Sequence, residues 1–449
     1  AAALATALER GADECACPTV RVAPGGLLEG AAASDAATGR PAVEVLNRLG
    51  LAATALGARD AVWSLDTLRR RMAQSRFPWL AANLVDSASG RRPDWVVSHR
   101  VVDAGGLRVG LVGYVGGDAQ AFFRSAGVTG IVVRPGAAAL REALGAVKRE
   151  GADLAVVLAH AAVTCGAGDC AGEPVELARE LAGAADVIVA AGDSGAVVRV
   201  GPVQVVAARP GGAEVATVDL VRTVVEAREL RVSRTPVDPD RLPPDSAVAA
   251  IVDRATARAD SLGRRVVARV KLPLRRGARG DSPLGDLVAD AQRNALRADV
   301  AVVSDATLAG DLPAGPVTQG ELRALHGGAR ALTTLTVTGG VLRQVLEAAL
   351  SDDRPVLHVS GVLLRYDPRA PAGRRVRRVR LSDGSDLKDK RSYTLALAAP
   401  LARSARLPML GGAPAAPSTA TDTDALAAYL QRLPQPVAPP EPGRLQAAR

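Results

Sequence analysis

The chain has 449 residues, 48% of them apolar and only 2% aromatic, and a formal net charge of +9. That balance excludes a disordered chain and a base-stacking nucleic-acid reader, and its length fits two domains of about 150–230 residues each. No apolar run approaches the roughly 18–20 residues that span a bilayer, and the Ala-rich start lacks the layout of a signal peptide, so the chain reads as soluble and already processed.

In chain order, short apolar runs alternate with helix-period segments. Thr19 to Ala23, Ala52 to Leu56, Val101 to Tyr114, Leu154 to Leu158 and Val187 to Ala190 read as strands, with Gly105-Gly106 as a hairpin turn inside the third. Ala42 to Leu49, Leu65 to Ala73 and Ala137 to Glu150 read as amphipathic helices between them. This alternation predicts a layered α/β domain whose post-strand loops carry any site. Ser233 to Ser246, rich in Pro and Asp, marks a boundary, followed by a helix from Ala247 to Leu262 capped by Asp245 or Ser246. The second half reads as a strand from Arg264 to Leu274, a helix from Leu284 to Leu296, and strands over Leu332–Thr338, Leu357–Tyr366, Val376–Leu381 and Tyr393–Ala398. Pro434 to Pro442 is Pro-rich and expected to be mobile.

Residues 1–231 carry 24 Lys/Arg against 25 Asp/Glu, and residues 232–449 carry 32 against 22. Only Lys148, Lys271, Lys388 and Lys390 are lysines, a bias that fits GC-rich coding better than selection for a ligand. The competing reading is a polyanion partner drawn to Arg374, Arg375, Arg377, Arg378 and Arg380. There is no specific nucleic-acid signal. The four cysteines form two close pairs; Cys165 and Cys170 close a disulfide loop more easily than Cys15 and Cys17, whose state stays open, and one joint metal site is disfavoured.

Ala81-Ala82-Asn83-Leu84-Val85, Gly106-Leu107-Arg108-Val109-Gly110-Leu111-Val112-Gly113, Leu284-Gly285-Asp286-Leu287-Val288-Ala289-Asp290-Ala291, Gly315 to Leu322, Leu335 to Gly339 and Val359-Ser360-Gly361-Val362 resemble the two-domain 5'-nucleotidase and UDP-sugar hydrolase family over nearly the whole chain. The resemblance implies an α/β (α+β) architecture. A four-layer calcineurin-like metallophosphoesterase sandwich would occupy residues 1–232, without its first strand, and a linker and connecting helix 233–262. A 5'-nucleotidase C-terminal α/β domain would follow over 263–431, then a Pro-rich tail over 432–449.

The same resemblance implies two divalent metals, which activate water and stabilise in-line displacement at phosphorus. The ligands it calls for are mostly replaced. The strand ending in Asp-x-His has no counterpart unless a longer precursor supplies it. Gly26 stands where the bridging Asp would be. Gly-Asn-His-Glu becomes Gly57-Ala58-Arg59-Asp60, with Ala58 for a ligand and Arg59 for the catalytic His. His160 is retained, and Gly-His-x-His reads Gly192-Asp193-Ser194-Gly195. Arg59, His160 and Asp193 are therefore vestigial positions, with His160 and Asp193 the only metal donors left. Ser194 follows a strand, but His160 as its base would lack an oxyanion donor. The base-binding loop aligns with Ser304-Asp305-Ala306-Thr307-Leu308-Ala309, and the two stacking aromatics with Gly327 and Pro400.

These replacements predict a non-catalytic relative with no cofactor, serving as a structural or interaction component with a protein partner in an envelope or surface assembly, in the periplasm or at the cell surface. The alternatives are a metal-dependent phosphohydrolase with a rewired site and, more weakly, a polyanion-binding module acting through the basic second half.

Overall fold

The computed structural model describes residues 1–448 apart from 117–118, 126–127, 167–168, 193–194, 222–228, 277–280, 327–329, 351–355, 403 and 405. The chain folds as two compact units, one of residues 1–124 and 128–259, the other centred on residues 260–449.

In the first unit a six-stranded sheet runs in the order Ala196–Val200, Val203–Ala207, Val187–Ala191, Leu154–Ala162, Leu107–Val115, His99–Ala104, parallel at its centre and antiparallel at both edges. Its central strands are near-continuous runs of Val, Leu and Ala, as strands covered on both faces require. One face packs through Leu111, Val156, Leu158 and Val187 onto Ala53, Ala55 and Leu80 of a three-stranded parallel sheet, Val22–Ala23, Ala53–Ala55 and Trp79–Leu80. The other face takes Leu140, Leu144 and Val147 of the helix Ala138–Arg149 and Leu177 of Glu173–Glu180. The hairpin read from Gly105-Gly106 is present, both glycines having positive φ (64° and 87°), as a two-residue turn matching strand twist demands.

The helix expected from Ala247 to Leu262 spans Ser246–Gly263, and Asp245 caps it by accepting from the Val248 amide at 2.7 Å. The division between the units falls inside it, so residues 233–259 go with the first unit, where Glu229–Pro236 pairs with Glu214–Val221.

The second unit is built on a five-stranded sheet, Leu357–Ser360, Val300–Ser304, Ser392–Ala398, Ala331–Thr338 and Ala415–Thr421, covered by the helices Pro283–Leu296 and Asp422–Arg432 on one side and Gly339–Ala349 on the other. Three expectations change here. The strand expected from Leu357 to Tyr366 breaks at Gly361, where φ is +86° and an added Cβ would lie 2.1 Å from the Asp299 carbonyl oxygen. Its second half, Val362–Tyr366, joins a different sheet between Val376–Leu381 and Leu445–Ala447. The strand from Arg264 to Leu274 is shorter, Val266–Val270. The Pro-rich tail is docked: Val437 is 1% exposed and exchanges backbone hydrogen bonds with Arg269 and Lys271. Apolar anchors at Val437 and Leu445 hold a segment whose composition alone suggested freedom.

Among the described residues no helix is long and apolar enough to cross a membrane. Both cysteine pairs, Cys15–Cys17 and Cys165–Cys170, are disulfides, the second across the short hairpin Thr164–Cys165 and Cys170–Ala171.

Candidate functional site

Two post-strand loops of the first unit meet at His160, near the end of the strand Leu154–Ala162. The loop after Val22–Ala23 brings Gly26 against it with φ +70°. A Cβ on Gly26 would stand 2.5 Å from His160 Cε1 and 3.3 Å from Nδ1. The loop after Ala53–Ala55 brings Gly57, whose Cβ would lie 2.3 Å from the Gly26 nitrogen. The backbone therefore approaches His160 where the resemblance places a bridging Asp, with no room for that side chain unless the imidazole moves. His160 Nδ1 is buried and has no hydrogen-bond partner among the described residues.

Asp60 is the hub of these loops. Fully buried, its carboxylate accepts four backbone N–H bonds: from Leu27 (2.8 Å) and Leu28 (3.1 Å) on Oδ1, and from Gly26 (3.0 Å) and Gly57 (2.8 Å) on Oδ2. Burial raises its pKa above the usual carboxylate value, against the pull of these amides and of nearby His160. All four lone-pair directions are spent on holding backbone, so this carboxylate is a brace, not a ligand.

The remaining positions are closed in the same way. Ala58 offers no donor. Arg59 points its guanidinium into an ion pair with Glu29 and lies 5.8 Å from the centre of the Phe122 ring. Burial raises the Glu29 carboxyl, with Arg59 opposing. At Gly195, φ +72°, an added Cβ would meet Arg234 Nη1 at 2.5 Å and Glu214 Oε2 at 2.8 Å. Those two side chains pair at 3.6 Å and fill the space that the last metal-binding His would need. Asp193 and Ser194 lie outside the described residues. Among the described residues no group of three His, Cys, Asp or Glu side chains is arranged to hold a metal. Among the described residues, glycines, an alanine and a guanidinium stand where oxygen and nitrogen ligands are called for, a donor set that does not fit a pair of divalent cations.

In the second unit, the loop aligned with the base-binding loop folds onto itself. Thr307 donates to the Ser304 carbonyl at 2.6 Å, and the Ala309 amide donates to the Leu325 carbonyl at 2.8 Å. Asp305 contacts the ring of His358, a fully buried residue whose Nδ1 lies 3.9 Å from Asp286 Oδ1. Gly327 lies outside the described residues, and Pro400 is exposed. The basic run is largely paired internally. Arg377 bonds Asp367 at 2.7 Å, Arg378 bonds both oxygens of Asp386 at 2.8 and 2.9 Å, and Arg375 donates to the carbonyls of Ala370 and Leu350.

Sequence reasoning passed over Asp60, His358 and Asp286. Asp60 closes a motif whose other letters had changed, and His358 sits inside an apolar strand. The available signal was the pairing of an acid with Gly57 three residues before it, the spacing at which a side chain reaches back to cap a short turn.

Residues 258–407 match the family model of the 5'-nucleotidase C-terminal domain. Endonuclease YhcR of Bacillus subtilis is 26% identical over 383 residues, 83% of this chain, and the chain spans 31% of that relative's length. A candidate 5'-nucleotidase from Staphylococcus aureus superposes with TM-score 0.72 at 16% identity, covering 99% of this chain and 94% of that one. The 5'-nucleotidase precursor from Thermus thermophilus gives TM-score 0.59 at 21% identity, covering 99% and 93%. The likeness runs through both units: the chain has the layered metallophosphoesterase-type fold of these solved 5'-nucleotidases, and residues 258–407 carry the 5'-nucleotidase C-terminal domain.

Proposed function

We propose that this chain is a non-catalytic member of the 5'-nucleotidase family that serves as a structural or interaction component of an exported assembly, in the periplasm or at the cell surface. The observation that carries the reading is the way the ligand positions are used up. Gly26 abuts His160, Arg59 is tied to Glu29, Asp60 is spent on four amides, and Arg234 with Glu214 fills the space beside Gly195. Each is a stable local solution without a metal. Two disulfides favour an oxidising compartment.

The second reading is a phosphohydrolase using a different ligand set. His160 favours it, because a buried ring nitrogen without a partner is an available donor. One experiment separates the two. The purified chain is incubated with Mn and Zn, its metal content is measured by elemental analysis, and hydrolysis of nucleotides and simple phosphate esters is assayed on the same sample. Metal well below one ion per chain and no turnover is the expected result. Near-stoichiometric metal, with turnover lost in His160→Ala, would overturn the non-catalytic reading.

A further inference from the structure

We propose that the first unit carries a second, unrelated site: a cleft beside the helix Ala138–Arg149 that binds a small phosphate or sulfate ester bearing at least two negative charges. The cleft has a volume of about 370 Å³ and is lined by Asn83, Gly90, Arg91, Arg92, Arg134 and Glu142, among others. None of the three arginine side chains has a hydrogen bond or ion pair among the described residues. With Glu142 counted, the lining carries two positive charges in excess, in the half of the sequence where basic and acidic residues otherwise balance.

The arginines are presented on fixed backbone. Asn83 is fully buried and clamps Arg134 from both sides, its carbonyl accepting from the Arg134 amide at 2.9 Å and its Nδ2 donating to the Arg134 carbonyl at 3.1 Å. Arg91 and Arg92 leave a turn tightened by Asp86, whose Oδ1 accepts from the amides of Ala88 (3.1 Å) and Ser89 (2.8 Å) and whose own amide donates to the Arg91 carbonyl at 2.8 Å. The two segments follow adjacent antiparallel strands, Leu84–Asp86 and Ile131–Val133. Arg134 Nη2 lies 3.7 Å from where a Gly90 Cβ would project, which sets the guanidinium over the turn. Planar forks from the loops after two paired strands, lining one cleft, suit the tetrahedral oxygens of a phosphate or sulfate group. A single open cleft of this volume, as opposed to a track of charge along the surface, suits a small ester better than a polymer.

The test is isothermal titration calorimetry of the full chain with inorganic pyrophosphate at low salt. The expected result is saturable binding that weakens at least about tenfold in Arg91→Ala/Arg92→Ala and in Arg134→Ala, tightens about threefold in Glu142→Gln, and is unchanged in Arg100→Ala, an exposed arginine elsewhere on the unit. Circular dichroism melts check that each variant is folded. Two outcomes overturn the proposal: no binding by the native chain, or equal binding by the arginine variants. A phosphodiester oligomer is titrated in parallel; arginine-dependent binding of the oligomer without binding of pyrophosphate would also overturn it, in favour of a polymer surface.

Discussion

Asp60→Ala is expected to lower the melting temperature of the first unit by roughly 8–15 °C, the largest effect of any single substitution near His160. The side chain is fully buried and, among the described residues, is the sole acceptor for the amides of Gly26, Leu27, Leu28 and Gly57. Truncation leaves four donors without partners in a space water enters poorly, a loss on the order of 3–5 kcal/mol once partial rescue by solvent is allowed for. Asp60→Asn is the sharper variant. It keeps the shape, but whichever oxygen becomes the amide nitrogen turns from acceptor to donor and faces two backbone N–H groups, so it is expected to cost nearly as much as alanine. A shift below about 2 °C in both variants would mean that the loops are held by other contacts, and Asp60 would return to the list of chemically available groups. The same measurement bears on function, because a carboxylate that must stay bonded to backbone is not free to hold a metal or take a proton.

The parts of the fold that sequence reveals well are those where one residue type has one structural use. Gly105-Gly106 gave the hairpin because two successive left-handed residues fit a two-residue turn. Asp245 gave the start of the long helix because a short acidic side chain there satisfies an otherwise open amide. What escaped was decided by tertiary context. The break at Gly361 depends on the Asp299 carbonyl, a neighbour distant in sequence that excludes any Cβ. The docking of the tail depends on two apolar residues, Val437 and Leu445, set among prolines that suggest freedom when read by composition.

The candidate site divides along the same line. That Gly26, Ala58 and Gly195 lack donors is legible in the letters alone. That the vacated space has been taken is not. Arg234 reaches Gly195 from a strand of the neighbouring two-stranded hairpin, and Glu29 reaches Arg59 from another loop. Net charge misled in a similar way. The second half is basic by count, yet Arg375, Arg377 and Arg378 are occupied internally, whereas Arg91, Arg92 and Arg134, which line a cleft and have no side-chain partner among the described residues, lie in the neutral first half. Counting charges measures the field of a segment, and only the fold says which charges are already spoken for.

Asp286→Asn is expected to stabilise the second unit at neutral and alkaline pH and to leave it nearly unchanged near pH 4. Asp286 is 1% exposed in the helix Pro283–Leu296, and its carboxyl is pushed up to about 8, chiefly by burial, with Asp281 and Asp290 adding to the rise and Arg444 opposing it. In the unfolded chain the same group releases its proton near pH 4. Between those values the folded state holds a proton that the unfolded state has lost, so stability falls as pH rises, by at most about 1.4 kcal/mol per pH unit, and levels off above the folded value. Asparagine keeps the shape and stays neutral, which removes that slope. Arg444 does not lose its anchor in the variant, because it also bonds Asp290 through Nη1 at 2.9 Å and Nη2 at 2.7 Å. Urea unfolding followed from pH 4 to 8.5 should give native and variant curves that coincide at the acid end and diverge by roughly 2–4 kcal/mol at pH 8, after allowance for relaxation around the buried charge. Parallel curves would mean that Asp286 is ionised in the folded chain and neutralised by Arg444. The cluster of Asp281, Asp286, Asp290 and Arg444 would then be a set of ion pairs holding the strand Leu445–Ala447, in place of a proton-bearing joint beneath it.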